Sequence, residues 1–314
     1  MNIQMLVGLQ RAFDQSRGMA NLPEHEDAVA SDQLSRLEYS LIGLTGEVGE
    51  IANIIKKARR GRALAETNER AMLMGLGAEI ADVMSYLLKL ADQAHVDPGR
   101  AWLLKMCRNA HRFSRGERVP LLTIAGPPGS GKSTIVRAVE TAFAGNECYL
   151  ERFEENPWLD SLDSPADAFD AGRSQRWFLD TMTQFIKDAR SASLLLDQDP
   201  TAIVLVYGQL LFDRGMISSD TFDEHLATLL RLEIDQAPKL AGRTVILLDA
   251  PAETLAKRCA RKAGPRLEAD FLEDVRARFA RVFAELPNIV RVDASRPVSD
   301  VVRDVRTQID AFVA

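Results

Sequence analysis

Val119-Pro120-Leu121-Leu122-Thr123-Ile124-Ala125-Gly126-Pro127-Pro128-Gly129-Ser130-Gly131-Lys132-Ser133-Thr134 divides into three parts. Val119 to Ala125 is an apolar run of strand length. It feeds a loop with glycine at positions 126, 129 and 131, and Lys132 to Ala144 then reads as a helix. Strand, glycine loop and helix in that order turn backbone N–H groups toward one point at a helix N-terminus, a cradle for phosphate oxygens. The spacing Gly126-x-x-x-x-Gly131-Lys132-Ser133 adds a lysine for the β- and γ-phosphates and a hydroxyl for magnesium. Residues Gly126, Pro127, Pro128, Gly129, Ser130, Gly131, Lys132, Ser133 and Thr134 are therefore expected to hold ATP with Mg2+.

Beyond this stretch the same grammar repeats. Short apolar runs recur at Cys148 to Leu150, Ser193 to Asp197, Thr244 to Asp249 and Ile289 to Val292, with helical stretches between them. That alternation predicts an α/β domain, a parallel sheet of about five strands with helices on both faces. Toward the N-terminus the grammar changes. Leu37, Leu41, Leu44, Val48, Ile51 and Ile55 are spaced by three and four, and Lys56, Lys57, Arg59 and Arg60 before Gly61 mark a helix end. A second periodic run spans Glu69 to Ala94, a third helix runs from Pro98 to Phe113, and an opening helix covers Ile3 to Arg17. This predicts an all-α antiparallel bundle. The polar Ser114-Arg115-Gly116-Glu117-Arg118 is the expected hinge, giving domains of residues 1–115 and 118–314.

The helical part carries its own chemistry. Residues three apart on a helix point the same way, so Glu47 with Glu50, and Glu79 with Asp82, form two acidic pairs. Antiparallel packing would bring all four together, and a magnesium ion, which prefers oxygen ligands, is the natural compensation for their repulsion. Gly43, Gly46 and Gly49 lie along the same segment, where helix propensity alone disfavours them.

Leu44-Thr45-Gly46-Glu47-Val48-Gly49-Glu50-Ile51-Ala52-Asn53, with Glu79-Ile80-Ala81-Asp82-Val83, resembles the MazG family of all-α nucleoside triphosphate pyrophosphohydrolases over residues 30 to 115. The resemblance implies hydrolysis between the α- and β-phosphates, giving a monophosphate and pyrophosphate. It implies magnesium on Glu47, Glu50, Glu79 and Asp82, with Glu50 orienting or deprotonating the attacking water. It also implies phosphate contacts from Asn109 and Arg112 and a homo-oligomer formed through the helical domain.

Residues 119 to 314 resemble the deoxynucleoside kinases and the related thymidylate kinases. The resemblance rests on the glycine loop, on Glu151-Arg152-Phe153-Glu154-Glu155-Asn156-Pro157, on Gln175-Arg176-Trp177, and on a lid-like segment from Arg258 to Leu286 with Arg261, Arg266 and Glu268. It implies that Glu151 is a general base toward a sugar hydroxyl, that Gln175 reads the base, and that Lys132 and Arg266 neutralise the transferring phosphoryl group. Asp197 would orient magnesium. One departure stands out. Where the family ends its third strand with an acid followed by an arginine, this chain reads Asp197-Gln198-Asp199.

Bulk composition sets the outer limits. The chain has 314 residues, 46% hydrophobic and 27% charged, enough for two domains that each bury a core and too apolar for disorder. A net charge of −6 argues against a nucleic-acid-coating surface. No apolar run has the length of a membrane span, and the N-terminus lacks a charged segment followed by an apolar core. Cys107, Cys148 and Cys259 are odd in number and lack metal-ligand spacing, which points to buried thiols in a cytoplasmic setting. Three functional readings stand. The chain is a bifunctional enzyme that hydrolyses one nucleotide and phosphorylates a nucleoside or nucleoside monophosphate, or a pyrophosphohydrolase regulated by a non-transferring ATP-binding domain. In the third reading a helical dimerisation module, its acids merely structural, is attached to a kinase.

Overall fold

A computed structural model describes residues 3–16, 29–60, 67–113, 121–140, 147–158, 170–191, 193–240, 242–261, 267–284 and 288–313. By contacts the chain divides into two units, Met1–Trp102 and Leu103–Ala314. The expected hinge at 114–118 lies outside the described residues.

The first unit contains α1 (Ile3–Ser16), α2 (Val29–Arg60), α3 (Thr67–Gln93) and the beginning of α4 (Pro98–Phe113). Two glycines set how α2 and α3 meet. A Cβ on Gly43 would run into the Tyr86 ring, and one on Gly75 would lie 3.6 Å from Ile54 Cδ1. Both contacts belong to one antiparallel register, in which Glu47 lies level with Asp82 and Glu50 level with Glu79. α1 is tied to α3 by the Arg11–Asp92 ion pair and by Lys89–Asp14 at 3.1 Å.

The second unit is built on a five-stranded parallel sheet of order β2-β3-β1-β4-β5, as the alternation predicts. The strands are β1 (Leu121–Ala125), β2 (Glu147–Tyr149), β3 (Leu194–Asp197), β4 (Thr244–Asp249) and β5 (Ile289–Asp293). β1 lies at the centre, fully buried, with Leu122 registered on Leu195 and on Thr244. Both faces are covered by helices. On one, α6 (Ala171–Asp188) and α8 (Ser219–Asp235) bury Leu179, Met182, Phe222 and Leu226. The later part of α4 joins this core, with Cys107 buried and Leu103, Leu104 and Met106 packed against it. On the other face α5 (Lys132–Val139), α10 (Ala252–Cys259) and α12 (Val298–Val313) enclose Ile135, Val136, Leu255 and Val305. Between β3 and α7 (Gln209–Asp213) the chain makes a buried π-helical stretch, Ala202–Gly208, which packs against α11 (Ala269–Phe283) through Tyr207 and Phe279. Wide helical turns of this kind concentrate at functional sites.

Candidate functional site

The antiparallel register of α2 and α3 places one carboxylate oxygen each of Glu47, Glu79 and Asp82 within 4.8 Å of one another. Glu50 stands outside this trio but near it. Burial pushes the Glu79 carboxyl above its ordinary range, and the charges of Glu47, Asp82 and Glu50 push it the same way. Such mutual repulsion is what a divalent cation relieves, and an all-oxygen donor set suits magnesium. The glycines beside the acids divide. Gly43 is demanded by Tyr86, whereas a Cβ on Gly46 or Gly49 would meet nothing within 4 Å. Packing within the chain therefore explains the first glycine only. Asn109, on α4, falls in the second unit, its side-chain nitrogen 3.8 Å from Met106 Sδ. The Arg112 side chain lies outside the described residues.

In the second unit β1 delivers the chain to the glycine loop. Gly126 has φ 152°, and a Cβ there would collide with the carbonyl oxygen of Leu248 at the end of β4. Gly129 has φ 79°, and its Cβ would lie 2.7 Å from Leu255 O of α10. Both positions admit only glycine. Lys132, at the start of α5, donates from Nζ to Gly126 O at 2.9 Å and Pro127 O at 3.4 Å, so the ammonium spans the loop. Ser130 is buried within the loop, while Ser133 and Thr134 retain exposure at the helix start. A cavity of about 260 Å³ opens beside the loop, lined by Gly129, Ser130, Gly131, Thr134, Arg258, Arg261 and Arg296. Arg258 is anchored there by a 2.8 Å bond to Ala294 O. Arg266 lies outside the described residues.

Glu151 follows β2 and faces this loop. Burial pushes its carboxyl up to about 7, Lys132 opposes that rise, and Asp197 adds to it. A carboxyl poised near neutrality suits a proton acceptor. Asp197 ends β3 and is buried. Gln198 follows with φ 101°, a left-handed conformation that costs a residue with a side chain about 1–3 kcal/mol. Strain of that size persists where the surroundings fix it, and they do so here. Asp199 is ion-paired with Arg243, its carboxylate 2.8 Å from Nε, and accepts from Arg243 Nη2 at 3.3 Å, and Arg243 also pairs with Glu233 at 3.0 Å and donates to Thr201 Oγ1 at 2.8 Å. Arg152 is exposed and paired with Glu155 at 2.9 Å. Gln175 is buried, and its side-chain nitrogen donates to Ile203 O in the π-helical stretch.

Two groups at this site went unread in the sequence. Tyr207 brings its hydroxyl to 3.4 Å from Gly126 O, and burial raises its phenol pKa well above the usual value. Its only signal was a polar tip directly after the apolar run Ala202 to Val206. Arg243 is an isolated arginine before β4, and nothing in its neighbours foretold its buried pairs.

Comparison with known proteins bears on each half separately. No family model matches the chain. The N-terminal region is similar in sequence to dCTP pyrophosphatase 1 of Rattus norvegicus, 40% identical over 85 residues, 26% of this chain and 48% of that protein. It is also similar to the Gene 37 protein of Mycobacterium phage L5, 43% identical over 65 residues, 21% of this chain and 55% of that protein. The chain thus spans about half the length of the relatives its sequence matches. A structure of deoxyadenosine kinase from M. mycoides with bound dCTP superposes with a TM-score of 0.51 at 17% identity, over 61% of this chain and 99% of that one. The chain therefore joins a helical region resembling the dCTP pyrophosphatases to a parallel-sheet domain with the fold of a deoxynucleoside kinase.

Proposed function

We propose that the protein is a bifunctional enzyme of nucleotide metabolism, residues 1–115 forming a triphosphate pyrophosphohydrolase and residues 118–314 an ATP-dependent kinase. The observation that carries the first half is the register of α2 on α3, which gathers Glu47, Glu79 and Asp82. Magnesium, when bound by these carboxylates and by Ser133 and Asp197 at the glycine loop, supplies charge neutralisation at a polyphosphate. Glu50, beside the trio, is free to orient water for attack on the α-phosphate. The names of the sequence relatives make dCTP the first triphosphate to test.

The second half rests on Lys132 spanning the loop and on Glu151 facing it at a pKa of about 7. Glu151 would take the proton of a nucleoside or nucleoside monophosphate hydroxyl while Lys132 holds the terminal phosphates. A second reading, in which ATP binds without transfer and regulates the helical half, is favoured by Gln198, where no cation stands. Self-association through the helical half is supported by its exposed apolar side chains, among them Tyr39 at 60%, Ile42 at 72% and Met74 at 72% exposure. Cys107, Cys148 and Cys259 form no disulfide, which suits a cytoplasmic setting, and no described helix is long and apolar enough to cross a membrane.

The test is a panel of triphosphates incubated with the full chain and magnesium, with products resolved by chromatography, and a parallel assay of label transfer from ATP. Monophosphate with pyrophosphate establishes the first activity. Labelled nucleoside phosphate establishes the second, and ATP binding without it selects the regulatory reading.

A further inference from the structure

Asn156 has no role in the site described so far, yet it is buried in the otherwise exposed loop that follows Glu151, 1% exposed between Glu155 and Pro157. Both polar atoms of its side chain are used. Nδ2 donates to Ser174 Oγ at 3.0 Å and to Ser174 O at 3.2 Å, and Oδ1 accepts the Trp158 N–H at 3.0 Å. Ser174 lies in the first turn of α6, beside Gln175, whose amide is bonded to Ile203 O in the π-helical stretch. The chain from Glu151 to Asn156 is closed as a tight turn, Glu155 N–H donating to Arg152 O at 3.0 Å and Asn156 N–H to Phe153 O at 3.1 Å. On the other side of Glu151, the Tyr149 hydroxyl stands 3.2 Å from Thr181 Oγ1, and its ring meets Phe185 with centroids 5.3 Å apart. Ser174 and Thr181 both belong to α6 and lie two helical turns, about 10 Å, apart on one face. Glu151 is bracketed by these two anchors.

We propose that Asn156 is a positioning residue, which pins the loop after β2 to the start of α6 and so sets the distance between Glu151, at the hydroxyl end of a bound acceptor, and Gln175, at its base end. An asparagine suits the task because one side chain offers donors to Ser174 and an acceptor to Trp158, whereas an aspartate would set a charge against Ser174 O. A buried amide with these bonds made holds one geometry, since shifting it leaves polar groups unpaired. None of its bonds reaches the glycine loop, so its loss is felt by the acceptor and not by ATP. This role rests on the reading of the second unit as an ATP-dependent kinase.

Asn156→Ala removes the whole contact, and Ser174→Ala removes the hydroxyl while keeping the carbonyl. In the full chain, Asn156→Ala should raise amide exchange over 152–156 by about tenfold and lower kcat/KM for the acceptor by about ten- to a hundredfold, through both kcat and KM. The KM for ATP should stay the same, which a general loosening of the domain would not allow. Ser174→Ala should show a smaller loss of the same kind. The double variant should be no worse than Asn156→Ala, because both changes act through one contact. Parental acceptor kcat/KM in folded Asn156→Ala would overturn the proposal, as would a KM for ATP that rises in step with that for the acceptor, or losses that multiply in the double variant. Should Asn156→Ala fail to fold, Ser174→Ala decides, and parental exchange and acceptor kcat/KM there overturn the proposal. If the parent transfers no phosphate, the kinase reading fails and exchange alone judges the anchor: a rise over 152–156 upholds it, and parental exchange overturns it.

Discussion

Glu151 and His225 are the two residues whose titration the fold changes with the clearest consequences. With its folded pKa near 7 against 4.5 for a free glutamate, Glu151 contributes stability that is complete below about pH 4.5 and lost as pH rises through about 7. Under the proposed function the same titration creates the base. Phosphoryl transfer should therefore rise with pH through about 7, and Glu151→Gln should lower it by roughly a hundredfold or more and flatten that limb. A pH–rate profile of both proteins checks this; an unchanged limb in the variant would assign the titration elsewhere. His225 works in the opposite sense. It is buried, its Nδ1 has no hydrogen-bond partner, and burial followed by the Arg176 charge lowers its pKa. A depressed folded pKa gives stability that is present above the unfolded value near 6.5 and lost as pH falls below it. Melting temperatures between about pH 7 and 5 should fall more for the parent than for His225→Leu. Equal falls would mean that other groups drive the acid loss.

At the scale of elements, the sequence declares what a segment is better than what it packs against. β4 was legible to the residue, Thr244 to Asp249, because a central parallel strand is a plain apolar run bounded by polar residues. The bounds of α2 and α3 followed from their apolar spacing within a few residues. The acidic pairs were equally legible, since a spacing of three puts them on one face. What no spacing shows is a partner. The later part of α4 packs its apolar face, Leu103 with Met106 and Cys107, into the core under α6 and α8, although periodicity reads the same for either unit. The left-handed turn at Gln198 and the π-helical stretch after it were hidden for a related reason. Long-range bonds from Ile124, Arg243 and Gln175 hold them, and local propensity gives no sign of these. The meeting of α2 and α3 yields its own prediction. Gly43→Val places a branched side chain against the Tyr86 ring and should destabilise the first unit by about 1–3 kcal/mol, whereas Gly46→Val, facing open space, should be neutral or slightly stabilising through its better helix propensity. Thermal unfolding of the two variants separates them; equal losses would contradict the register.

Across the whole molecule, acids gather on paired helices in one unit and a glycine loop stands on a parallel sheet in the other, and the proposed function makes each a device for handling polyphosphates. The account holds that they are separate centres. The most direct test crosses two variants with two assays in the full chain. Asp82→Asn removes a carboxylate from the acidic trio with little change in shape, and Lys132→Ala removes the ammonium that spans the loop. Pyrophosphate release from dCTP and label transfer from ATP are then measured for both. The account predicts that Asp82→Asn abolishes pyrophosphate release and keeps ATP binding and transfer, while Lys132→Ala abolishes transfer and keeps pyrophosphate release. Pyrophosphate release at the parental rate in Asp82→Asn, or undiminished transfer in Lys132→Ala, would contradict it.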